Sequence, residues 1–124
     1  MTDIIHICFW NKIIQLPLEF DCYKGEEITE EQIKALGRFV AHPEWIRSSK
    51  NSVQEFCNKC ALGKGEESRE VEECIIPEAV YVKRDDKCPR VAILCKFRYD
   101  LEHGLAMVFD YEGAVHVGIQ DIII

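Results

Sequence analysis

The residues best suited to chemistry lie close together near the C-terminus. Asp100, Glu102 and His103 precede Gly104, and Asp121 follows seventeen residues later. A carboxylate beside an imidazole can relay a proton or help bind a cation. The same residue types also build turns, because an Asp side chain accepts from backbone amides two or three residues on and Gly supplies a left-handed position. With no nucleophile in reach of the motif, turn architecture is the reading taken here. Cys57-Asn58-Lys59-Cys60 has the spacing of a metal or redox pair. A structural zinc site needs four ligands, and a redox motif opens a helix after a strand. This pair falls late in a helical pattern with no second pair, so it reads as core cysteines. His6 sits in an apolar run and reads as a strand histidine. The chain carries no Gly-rich phosphate loop, no Ser nucleophile elbow and no H-E-x-x-H helix. Neither a metal nor a cofactor is expected.

The elements that would hold these residues follow from periodicity. From Arg90 onward three β-branched and aromatic runs, Val91 to Phe97, Leu105 to Phe109 and Ala114 to Val117, read as a meander. The near-continuous apolar run at Val91 to Phe97 predicts burial on both faces. At the other terminus, residues 4 to 23 read as a hairpin turning at Asn11 and Lys12, with Pro17 pointing to an edge or bulge. Thr29-Glu30-Glu31-Gln32 has the form of a capping box. Ile33, Leu36, Phe39 and Val40 continue it as an apolar stripe that stops before Pro43. Trp45 and Ile46, then Val53, Phe56, Cys57, Cys60 and Ala61, extend the helical spacing to Gly63. Residues 64 to 73 read as an exposed loop, Glu78 to Lys83 as a half-buried strand, and Arg84-Asp85-Asp86-Lys87 as a turn. The expected fold is a single α+β domain over 1–124. It has an N-terminal β-hairpin, one or two helices at about 29–62, and a C-terminal antiparallel meander in one twisted sheet covered by the helices.

The composition is that of an ordinary soluble domain, 48% hydrophobic and 30% charged over 124 residues. No apolar run approaches the length a membrane span needs, and the N-terminus lacks the pattern of a secretory signal. Seven cysteines, several inside apolar runs, read as reduced core residues, which suits the cytoplasm. Net charge is −7. The acidic residues gather at Glu26, Glu27, Glu30 and Glu31 and again at Glu66, Glu67, Glu70, Glu72 and Glu73. Such a surface repels a phosphate backbone and attracts a basic partner, which argues against nucleic acid. The terminal Ile122-Ile123-Ile124 would be a pairing hazard at an exposed edge, and a monomer or weak homodimer is expected.

Tyr99-Asp100-x-Glu102-His103-Gly104-Leu105, followed by a hairpin and Val117-Gly118-x-x-Asp121-Ile122, resembles the C-terminal signature of a family of small bacterial α+β domains of unknown function. The resemblance covers about the last 30 residues and is loose elsewhere. Such domains often occur as immunity-type proteins beside polymorphic or contact-dependent toxin genes. The resemblance therefore implies a non-catalytic protein that binds a cognate, basic toxin and blocks its active site or substrate groove. The alternatives are a small hydrolase or metal-dependent enzyme built on Asp100, Glu102 and His103, and a plain interaction domain.

Overall fold

A computed structural model of the chain describes residues 3–23, 25–85 and 89–124. Of the predicted turn at 84–87, Asp86 and Lys87 lie outside the described residues, as does Cys88. The strands are β1 (Asp3–Phe9), β2 (Lys12–Phe20), β3 (Ile75–Val82), β4 (Val91–Phe97), β5 (Leu105–Phe109) and β6 (Val115–Gly118). Between β2 and β3 lie the helices α1 (Glu30–Ala41), α2 (Glu44–Arg47) and α3 (Lys50–Gly63). The class is α+β. All six strands form one sheet in chain order. The sheet is mixed where an antiparallel one was expected: β2 and β3 run parallel, paired only from Leu18 opposite Val80 to Phe20 opposite Val82. The intervening helices carry the chain back to the end where β2 began, and that crossover imposes the parallel sense. Pro17 lies one residue before this ladder starts. Its pair with Ile4 leaves its nitrogen facing β3 with no proton to donate.

The helices pack on one face of the sheet. Phe39 packs its ring, tilted by 52°, against that of Phe109 of β5 with centroids 5.3 Å apart, and also lines a 90 Å³ hollow with Ile7 of β1 and Ile46 of α2. Neighbouring strands are spaced about 4.8 Å apart, so β1 and β5 would lie roughly 19 Å apart in a flat sheet. One side chain reaches both only because the sheet curls strongly around the helices. Val53, Cys57 and Ala61 of α3 bury into the same core as Val80, Ile93, Phe97 and Met107. β4 and β5 are buried on their other face too. There Ala92, Leu94, Ala106 and Val108 are covered by Ile123.

Two local expectations change, and the C-terminal tail, left open by the sequence, takes a defined place. The stripe of α1 is rotated: Phe39 is buried and Leu36 half-buried, whereas Ile33 and Val40 are exposed and Gln32 is fully buried. The hairpin turn is Trp10-Asn11, one residue earlier than predicted, with both residues at positive φ (50° and 99°). A bulky residue in that region costs on the order of 1–3 kcal/mol. Burial of the indole offsets it, as does its Nε1–H, which donates to Ile46 O at 3.2 Å and to Ser49 Oγ at 3.3 Å. The terminal isoleucines form no strand; a 3-10 turn at Gln120–Ile122 folds Ile123 inward.

Candidate functional site

Strand directions sort the candidate residues into two groups. β3 is eight residues long, which is roughly 26 Å at about 3.3 Å per residue. At its start lie the loop before Ile75, the Trp10-Asn11 turn and, because Ile75 pairs with Phe97, the turn that follows β4. At its far end lie the segment between β2 and α1, Arg84, and the turn after β5. Glu66, Glu67, Glu70, Glu72 and Glu73 therefore share one end with Asp100, Glu102, His103 and Gly104, and Asp121 joins them. Glu26, Glu27, Glu30 and Glu31 occupy the other end. The two acidic clusters do not form one patch.

The far cluster is partly neutralised. Glu26 pairs with Arg84 at 3.4 Å, and Arg84 also donates to the Glu27 carbonyl at 2.9 Å. Glu30 and Glu31 occupy the first turn of α1, where carboxylates offset the helix dipole. The near cluster splits. Glu72 turns toward the hairpin and pairs with Lys50, whose hydrogen bond holds its carboxyl below the usual range. Glu66, Glu67, Glu70 and Glu73 instead line an open cleft of 550 Å³ with Ser68 and Arg69.

That cleft adjoins the Asp100–Gly104 turn. Arg98 N donates to Cys74 O at 2.8 Å, and Gln120 N donates to His103 O at 3.3 Å, which ties the loop, the turn and the C-terminal segment together. Within the turn, Asp100 Oδ1 accepts from His103 N at 3.1 Å, and His103 Nδ1 lies 3.0 Å from both carboxylate oxygens. The backbone and side-chain bonds from His103 hold the Asp100 carboxyl below its usual range. Reciprocally, Asp100 raises the His103 imidazole, with smaller contributions from Glu102 and Asp121. The bond favours the charged form of a ring whose Nδ1 is engaged by Asp100 and which stands on the surface near Glu102 and Asp121.

Gly104 is explained by space as well as by conformation. Its φ is +65°, and a Cβ there would come within 2.5 Å of Gln120 Nε2 and 2.8 Å of Cys95 O. Gln120 fills that position by donating to Cys95 O at 3.2 Å. A hollow of 390 Å³ lies beside the turn, lined by Glu78, Lys96, Glu102, His103 and Gln120. Among the described residues, no three His, Cys, Asp or Glu side chains gather as a metal site would require. Cys57 is buried and Cys60 half-buried; burial and then the neighbouring Cys74 push the Cys57 thiol up to about 12. Sequence reasoning missed Gln120, which stands at an unspecified position inside the Tyr99 to Ile122 pattern.

A family model described as a domain of unknown function, DUF6985, matches residues 1–124. The chain belongs to this family. No curated protein and no solved structure matches it. For this DUF6985 domain the turn geometry accounts for Asp100, His103 and Gly104 as a folded unit that presents charge. None of its helices among the described residues is long and apolar enough to cross a membrane.

Proposed function

We propose that the acidic end of the sheet binds a basic protein and blocks it, as an immunity-type protein neutralises a cognate toxin in the bacterial cytoplasm by covering its active site or substrate groove. One observation carries this reading. Glu66, Glu67, Glu70 and Glu73 line an open cleft at the same end of the fold as Asp100, Glu102 and Asp121, from segments far apart in sequence. Clustered negative charge of this kind raises the rate of encounter with a cationic surface and fixes its orientation. An enzyme that handles phosphates has a basic groove, and carboxylates can occupy it in place of substrate.

The test is a pull-down from the native host with three baits. These are the natural chain, a Glu66→Lys/Glu70→Lys/Glu73→Lys variant, and a Glu26→Lys/Glu27→Lys/Glu30→Lys variant. A basic protein retained by the first and third and lost by the second is the expected result. Equal retention by both variants, or a retained partner that is acidic, rejects the reading.

A further inference from the structure

The strand β1 is an open edge, and its backbone pattern specifies what pairs with it. The two-residue turn makes Phe9 opposite Lys12 the closing hydrogen-bonded pair of the hairpin. Alternation then turns the amides and carbonyls of Ile7, Ile5 and Asp3 toward β2, and those of Cys8, His6 and Ile4 outward. Among the described residues, no backbone hydrogen bond from a turn, loop or other element reaches Ile4, His6 or Cys8. Ile4 to Phe9 contains no Pro, no bulge and no Asp, Glu, Lys or Arg to blunt the edge, although Val40, Pro43 and Ile46 of the α1–α2 corner border His6 and Cys8 across a 90 Å³ hollow. From Ile4 to Leu18 the chain has no acidic residue at all, although its net charge is −7.

We infer that β1 pairs antiparallel with β1 of a second copy about a two-fold axis at His6. That register sets Ile4 against Cys8 of the other copy, His6 against its counterpart and Cys8 against Ile4, so all three outward residues enter hydrogen-bonded pairs. The side chains match as well. On the open face the rows across the joint read Ile13, Cys8, then Ile4 and Pro17 of the second copy, and Gln15, His6, then His6 and Gln15 of the second copy. On the helix-covered face Ile5 meets Ile7 of the second copy and extends the core. Sliding the register by two residues would place His6 against Ile4 and break the apolar rows.

Ile4 is 53% exposed, and the contact covers it. A second copy fits this edge better than a basic partner does, because the one carboxylate of β1, Asp3, stands at its end, outside the paired residues Ile4 to Cys8. Like-charge repulsion between two acidic chains is weakest along Ile4 to Leu18, where neither carries acid. This contact does not depend on the proposed inhibition. The acidic loop and the Asp100–Gly104 turn stay outside it.

Sedimentation equilibrium over a concentration series tests the inference. The natural chain should show a monomer–dimer equilibrium, and His6→Lys should raise the dissociation constant several-fold by setting two ammonium groups opposite each other on the axis. Circular dichroism confirms that the variant is folded. A second measurement is independent of that variant's stability: in a Cys8→Ser background, His6→Cys treated with diamide should give a covalent dimer on a non-reducing gel. The paired Cα atoms would be about 5.5 Å apart, within disulfide reach. A chain that remains monomeric at millimolar concentration, a dimer unmoved by His6→Lys, or a His6→Cys variant that does not cross-link overturns the inference.

Discussion

The two ends of the sheet are held in different ways. In the C-terminal half, β4 and β5 are buried on both faces apart from exposed Lys96, and each is paired on both sides over most of its length. The N-terminal hairpin β1–β2 joins the rest of the sheet through three parallel residue pairs, and its Ile7, Phe9, Trp10 and Leu16 pack into the shared core, with Trp10 also reaching across to Ile46 and Ser49. Its open face carries exposed Ile4 and Ile13. The meander is therefore expected to behave as the global folding unit, and the hairpin as a part that opens at lower free energy. The charge divides in a similar way, with acid at the loop and turn beside the meander and none along Ile4 to Leu18.

The largest effect should come from emptying the meander. Phe109 is 1% exposed and packs against the Phe39 ring, so Phe109→Ala should cost about 3–5 kcal/mol and lower the urea midpoint of the whole chain. A smaller effect is expected at the hairpin. Trp10→Phe keeps most of the apolar contact but removes the donor to Ile46 O and Ser49 Oγ, a loss of about 1–2 kcal/mol. Native-state hydrogen exchange separates the two: amides of β1 should lose protection in Trp10→Phe while those of β4 and β5 keep theirs. Equal loss in both would mean that the sheet opens as one unit and that the contrast between its halves is false.

The same contrast explains what could be read from the residues alone. The capping box forms as Thr29 and Gln32 predict, because both partners are three residues apart and need nothing else. What Gln32 does with its amide nitrogen was not legible, since it donates to Asp21 O at 3.1 Å and Val82 O at 3.2 Å, the latter across the fold. Burial of β4 on both faces was visible in its unbroken apolar run. The parallel pairing of β2 with β3 was not, because a local pattern does not say which distant strand becomes a neighbour. The hairpin turn shifted by one residue since turn rules disfavour Trp at positive φ, and here tertiary burial outweighed that preference. At the candidate site the Asp100–Gly104 turn could be read locally. Its meeting with Glu66 to Glu73 depends on the pairing of Ile75 with Phe97.

The smallest expected effect lies at that turn, and it tests whether the turn presents charge. Asp100 raises the His103 imidazole, so the bond favours the charged ring. Its contribution is present below the ordinary imidazole value of about 6.5 and is lost as pH rises through the raised one. Asp100 has the opposite sign: its carboxyl is lowered, so its contribution holds above the usual carboxylate range and disappears as pH falls through the lowered value. The pair is therefore intact between those limits, and because both groups are well exposed its effect on global stability should be slight. The ring's own titration is the sensitive readout. In a proton NMR titration the His103 midpoint should lie above the ordinary value and drop in Asp100→Asn, with the urea midpoint nearly unchanged. A midpoint that stays put in Asp100→Asn would mean that the carboxylate shapes the backbone of the turn without holding the imidazolium, and the turn would then lose its part in the acidic surface assigned to this end of the sheet.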